Sequence, residues 1–202
     1  IRDRTYTATL PETLNGQKVY AWAEESGGMK LVKPGVISHS YKGGGAFRTL
    51  YPIVKAESWI NRKNGDDETW YYQKQGQLVQ NAWVKDKGTW YFMNDKGVMF
   101  NQTWLYQGSN WYAFKSSGAM IASDWLYDQG KWYYLSTSGA MKASTWVYDK
   151  GEWYYVSSSG AMLANDWVKD NGKWYYLASS GKMLRNTYTP DGYYVGNSGA
   201  WQ

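Results

Sequence analysis

Tryptophan recurs at Trp83, Trp104, Trp125, Trp146 and Trp167, each 21 residues from the last, and a second series, Trp90, Trp111, Trp132, Trp153 and Trp174, follows seven residues behind. Indole faces carry negative potential that attracts a cation, and the same rings supply large apolar area for packing. Periodicity alone leaves both uses open. The paired Trp, the aromatics that follow in "WYY", and the in-phase Met99, Met120, Met141, Met162 and Met183 favour a ligand cage over plain core. Strand alternation sends the Trp and the second Tyr of "WYY" to one face and the middle Tyr to the other. Tyr133, Tyr154 and Tyr175 therefore read as inter-hairpin packing, and the Met column serves packing or ligand contact equally well.

Other chemistries find little support. His39 is the single histidine, set in "SHSYKGGG", and reads as a surface residue rather than a base. Glu24, Glu25 and Glu57 offer carboxylates of the kind paired in glycoside hydrolysis, but the residues up to 58 are too few for a hydrolase scaffold. Gly43, Gly44 and Gly45 lack the Lys-Ser/Thr and the strand-to-helix context of a phosphate loop. Cysteine is absent, which excludes disulfides and thiolate metal sites. No catalytic residue, metal or cofactor is expected.

A net charge of +5 leans mildly toward an anionic partner, with 17 acidic residues interspersed among 22 basic ones. There is no basic stripe of the sort nucleic acid requires. No 18-residue apolar run and no signal-peptide pattern is present, so a soluble chain, mature or trimmed at Ile1, is expected.

The elements that must position the rings are short. In "TWVYDKGEWYYV" a strand at Trp146 runs into Asp149-Lys150-Gly151 and a second strand returns from Trp153 to Val156. Gly151 suits the left-handed position of a three- or four-residue hairpin loop, and "SSSGAM" makes the step to the next unit. A lone hairpin is marginal in water, so neighbours must bury one another's faces. The fold class expected is all-β: an elongated β-hairpin solenoid of repeats about 21 residues long, with almost no helix. "NRKNGDDET" lengthens the tip between Trp59 and Trp70, and "TPDG" shortens the last turn, where Trp201 stands in the Met position. Residues 59–202 form the repeat module with its cap. Residues 1–58 form a divergent segment in which "YAWAEESGGM" overlays "WYAFKSSGAM" at Tyr20, Ser26, Gly27 and Met29, followed by a non-repeat insertion.

The segments "TWLYQGSNWYAFKSSGAM", "DWLYDQGKWYYLSTSGAM", "TWVYDKGEWYYVSSSGAM" and "DWVKDNGKWYYLASSGKM", with the ending "NTYTPDGYYVGNSGAWQ", resemble the choline-binding repeat family of pneumococcal-type surface proteins and phage lysins. The resemblance covers residues 59 to 202. It implies ligand sites between successive hairpins, each with two Trp from one hairpin, an aromatic from the next and a Met floor. Carried over position by position, the cages are Trp104, Trp111 and Tyr134; Trp125, Trp132 and Tyr155; Trp146, Trp153 and Tyr176; and, at the shortened end, Trp167, Trp174 and Tyr194. Met120, Met141 and Met162 would line the floors. Two upstream pairs are expected to be weak or empty: Trp83 with Trp90, where Ala113 stands in the Tyr position, and Trp59 with Trp70, facing Phe92.

The resemblance implies binding of choline or phosphocholine on teichoic or lipoteichoic acid, by a secreted protein held non-covalently at the Gram-positive cell wall. Lys131, Lys150, Lys169 and Lys173 lie at hairpin tips, where solubility is the plainer role and polymer phosphates the sharper one. Residues 1–58 would contact a host or bacterial protein, and Trp201 is compatible with a homodimer. The alternatives are the anchoring module of a cell-wall hydrolase and a glucan-binding repeat protein. The Trp pair and the recurrent Gly-Ala-Met speak against the last.

Overall fold

The computed structural model describes residues 4–24, 28–41 and 49–202, with the side chains of 39–41 left aside. Glu25, Ser26, Gly27, Gly43, Gly44, Gly45 and the imidazole of His39 lie outside the described residues. Among those described, every regular element is a strand and there is no helix, in line with the all-β expectation. The chain forms two compact units, 1–101 with 116–119, and 102–115 with 120–202.

The first unit combines divergent strands with the first repeat hairpins. Strand Arg4–Leu10 pairs antiparallel with Gly35–Tyr41, and Ala21–Glu24 lies between Lys30–Val32 and Leu50–Ile53. Ala23 and Met29 are buried with Tyr71, with Ile53, Ile60 and Leu78 packed around them. The Met29 matched to the repeat's Met is thus a core residue. Strands Glu57–Asn64 and Asp67–Lys74 form the long hairpin, and a second hairpin follows at Ala82–Asp86 and Thr89–Met93. The insertion "NRKNGDDET" does not loosen the tip. It adds register pairs up to Asn64 opposite Asp67.

The second unit is a succession of hairpins: Trp104–Gln107 with Asn110–Ala113, Asp124–Asp128 with Lys131–Leu135, Thr145–Asp149 with Glu152–Val156, and Asp166–Asp170 with Lys173–Leu177. A short pair, Thr187–Tyr188 with Tyr194–Val195, ends the unit. The turns are tighter than the sequence reading expects. Asp149 pairs with Glu152, leaving Lys150 and Gly151 as a two-residue loop, with φ of 48° and 85°. Two positive φ values define the turn type whose twist matches the strands, so Lys150 as well as Gly151 occupies the left-handed region.

Backbone hydrogen bonds tie each step to the hairpin before it. Met162 N–H donates to the Trp132 carbonyl at 2.8 Å, Met183 N–H to that of Trp153 at 2.8 Å, and Met141 N–H to that of Trp111 at 2.8 Å. Leu135, Val156 and Leu177 are fully buried. The Gly and Met columns lock together: a Cβ on Gly160, whose φ is +83°, would lie 2.5 Å from Met141 Cε, and Gly139 and Gly181 are closed in the same way by Met120 and Met162.

Candidate aromatic ligand site

Register places the rings. Trp146 pairs with Tyr155 and Tyr148 with Trp153, so these four share one face of their hairpin, and Tyr154 points from the other. Trp146 and Trp153 lie at 6.3 Å between centroids and 90° between planes. The ring that closes on them from the next hairpin is Tyr175, 5.1 Å from Trp146 and edge-on to it.

This corrects the Tyr assignment. Tyr134, Tyr155 and Tyr176 do not face the preceding Trp pair; they pack edge-on against the first Trp of their own hairpin, at 5.0 Å (Trp125), 5.1 Å (Trp146) and 5.2 Å (Trp167). Tyr194 likewise packs on Tyr188 of its own pair, at 5.2 Å. The rings brought to the preceding pair are the middle tyrosines: Tyr133 to Trp104 at 5.4 Å, Tyr154 to Trp125 at 5.2 Å, Tyr175 to Trp146, and Tyr193 to Trp167 at 6.0 Å. The physical reason is alternation itself. A Tyr on the same face as its own Trp pair cannot also face backward.

The four sets in this unit are therefore Trp104, Trp111 and Tyr133; Trp125, Trp132 and Tyr154; Trp146, Trp153 and Tyr175; and Trp167, Trp174 and Tyr193. The second Trp of each set stays open to solvent, 39–44 % exposed. The last set gains a fourth ring, because Trp201 stands 5.6 Å from Tyr193 and lines with the other three a cavity of about 350 Å³. In the first unit Trp59 and Trp70 lie 6.3 Å apart at 83°, with Tyr91 at 4.9 Å from Trp59. Tyr91 thus takes the place given to Phe92, which packs on its own Trp83 at 5.2 Å. Ala113 pairs with Trp104 and is buried with Ile121 and Leu135; it belongs to the packing of its own hairpin.

Met120, Met141 and Met162 are half-buried, with their thioether ends against Gly139, Gly160 and Gly181. Met141 also packs with the group that includes Trp104 and Leu135, so the column supports the rings while filling the space beside the turn glycines.

A column of carboxylates went unnoticed in the sequence. The indole Nε1–H of each set's first Trp donates to an aspartate 24 residues on, at the tip of the next hairpin. Trp104 bonds Asp128 at 3.0 Å, Trp125 bonds Asp149 at 3.3 Å, Trp146 bonds Asp170 at 3.2 Å and Trp167 bonds Asp191 at 2.8 Å. In the first unit Trp59 bonds Asp86 at 3.0 Å in the same way. The signal is present as the Asp before "KG", "QG" and "NG", where turn preference alone accounts for it. The bond fixes each indole plane and sets a negative charge beside the rings. Hydrogen bonds from Thr189 Oγ1 and then Trp167 Nε1 hold the Asp191 carboxyl below the usual carboxylate range. Burial, and after it the charges of Asp149 and Asp124, push the Tyr134 hydroxyl above its ordinary value, as its place in the packing would require.

A half-open aromatic box with a fixed carboxylate beside it can hold a compact cation. A family model described as the choline-binding repeat matches residues 140–175 and 161–201, and one described as a putative cell wall binding repeat matches 81–99, 102–120 and 123–141. Among solved structures, choline binding protein F from Streptococcus pneumoniae, crystallised with a tetrasaccharide-pentapeptide peptidoglycan analogue, is 27% identical over 98% of this chain and 71% of that one, with a TM-score of 0.58. Its complex with ipratropium matches over the same shares at 27% identity and a TM-score of 0.60. The choline binding domain of Spr1274 from Streptococcus pneumoniae is 40% identical over 41% of this chain and 95% of that one, with a TM-score of 0.37. A search of curated protein sequences gave no match.

Proposed function

The chain belongs to the choline-binding repeat family, and from that premise we propose that its aromatic sets are choline sites. Through them a non-catalytic module holds a surface protein on the phosphocholine of teichoic or lipoteichoic acids of a Gram-positive wall. The observation that carries this reading is the recurrence of one geometry, two Trp and the next hairpin's middle Tyr, at Trp104, Trp125, Trp146 and Trp167. A trimethylammonium group has a permanent charge and no N–H, so hydrogen bonds cannot recognise it and ring faces can. The aspartate behind each first Trp adds attraction for the cation, and because choline never deprotonates, the cage itself imposes little pH dependence.

Magnitudes favour an array. At about 0.5–2 kcal/mol per ring, three rings supply roughly 2–6 kcal/mol before binding costs, while a millimolar site needs about 4 kcal/mol. One cage is weak. A polymer that occupies several gains on the order of 10²- to 10⁴-fold in avidity, which suits a reversible wall anchor. The Trp59, Trp70 and Tyr91 set shares the ring distances and is included. Residues 1–58 are read as the divergent part that carries any contact with a protein partner.

Titration with choline, followed by Trp fluorescence with glucose oligomers as the control, is expected to saturate at millimolar choline; a response to sugar alone would overturn the reading. The Tyr assignment has its own test. Tyr154→Leu is expected to weaken choline at the Trp125 cage by about 2- to 30-fold, the contribution of one ring, whereas Tyr155→Leu should act chiefly on thermal stability. The reverse pattern in calorimetric titration and melting would restore the second Tyr as the cage wall.

A further inference from the structure

The five hairpins that begin at residues 82, 104, 124, 145 and 166 differ at two places on the ring-bearing face: the residue paired with the first Trp, which is Phe92, Ala113 or a Tyr, and the exposed residue paired across from the second Trp. In three of them the latter is a tyrosine: Tyr106, Tyr127 and Tyr148 lie 4.9–5.0 Å from Trp111, Trp132 and Trp153, tilted 46–49°, and each is more than half exposed. In the other two it is a lysine. Lys85 Nζ lies 5.4 Å from the Trp90 ring centroid, and Lys169 Nζ lies 5.6 Å from that of Trp174. Lys85 pairs with Trp90 and Lys169 with Trp174 in the same register in which Tyr148 pairs with Trp153. Lys150 lies in its two-residue turn and Lys173 opens the returning strand opposite Asp170, so neither occupies this position.

We propose that this position sets which form of the ligand a cage prefers: lysine selects phosphocholine over free choline, and tyrosine does not distinguish them. The inference rests on the choline reading. An ammonium held beside a cage ring repels a second cation bound there, which penalises free choline. When the cation carries a phosphate, the same ammonium has an anion to meet at the open, solvent-facing edge of the cage. A tyrosine instead extends the apolar rim and responds only to the trimethylammonium end. The aspartate bonded to the first Trp is common to the Tyr148 and Lys169 cages, as Asp170 and Asp191, so it does not create the difference.

The test needs readings from individual cages. Full-length protein labelled with 5-fluorotryptophan is titrated by ¹⁹F NMR with choline and, separately, with phosphocholine, following Trp174 beside Lys169 and Trp153 beside Tyr148. The ratio of phosphocholine to choline affinity is expected to be about two- to fivefold higher at Trp174, the range of an exposed ion pair, and to shrink toward parity in 1 M salt. Lys169→Tyr should bring the Trp174 ratio to that of Trp153, and Tyr148→Lys should raise the Trp153 ratio. Each variant places a residue that a sister hairpin already accommodates, so folding is preserved by precedent. Equal ratios at the two cages, or ratios unmoved by both exchanges, overturn the inference while leaving choline binding intact. Absence of any choline shift overturns the choline reading and the inference together.

Discussion

Trp146→Ala is expected to abolish ligand binding at its cage and to lower stability by about 3–5 kcal/mol, whereas Trp153→Ala should impair the same cage at much smaller structural cost. Trp146 is the more embedded of the pair. It packs on Tyr155 and Tyr175, meets Trp153 and donates to Asp170, so truncation removes packing on two hairpins and strands a partly buried acceptor. The estimate is that for loss of a buried aromatic side chain. Trp153 is 39% exposed, and its removal takes away a wall facing solvent. Choline calorimetry and thermal melting on both variants check this; equal loss of stability would show the second Trp to be core as well.

The second large effect comes from a residue with no side chain. Gly160→Val is expected to destabilise by about 2–4 kcal/mol, since a β-branched residue at φ +83° is strained in any surroundings and its Cβ would also displace Met141. Met141 packs beside Trp104 and Leu135, so the loss should reach a cage more than 40 residues upstream in sequence. Denaturant melts read the first effect. Choline affinity at Trp111 reads the second, and an unchanged Trp111 cage would show that Met141 carries no support to the rings.

The hairpin succession was legible because four columns of Trp, Gly and Met share one period, and stacked hairpins are the economical way to bury aromatic faces at that interval. The Trp pairs were legible for the same reason. The third ring was misassigned although the alternation behind it was read correctly, because a repeat length carries no direction. Only the stacked structure shows that the Trp146 face looks toward the next hairpin and Tyr154 looks back to Trp125. Lys150 in the left-handed region was missed since lysine is not a residue usually chosen there. Asp149 was hidden behind its turn preference; its bond to Trp125 spans 24 residues and has no local signature. Trp201 was seen as a Met replacement, but its place as a fourth ring depends on how the cap folds back to Trp174.

The offset of 24 between indole and carboxylate equals one repeat plus three residues, and this makes the array editable in whole steps. Excising residues 145–165 would carry Asp170 to the place of Asp149, Tyr175 to that of Tyr154 and Trp167 to that of Trp146, so Trp125 would find a like-for-like acceptor and closing ring. An excision at this point that is not a whole number of repeats would leave an indole without its carboxylate and a cage without its wall. Loss or gain of whole repeats therefore changes the number of aromatic sets in integers, and that number can drift between related chains without any set being redesigned.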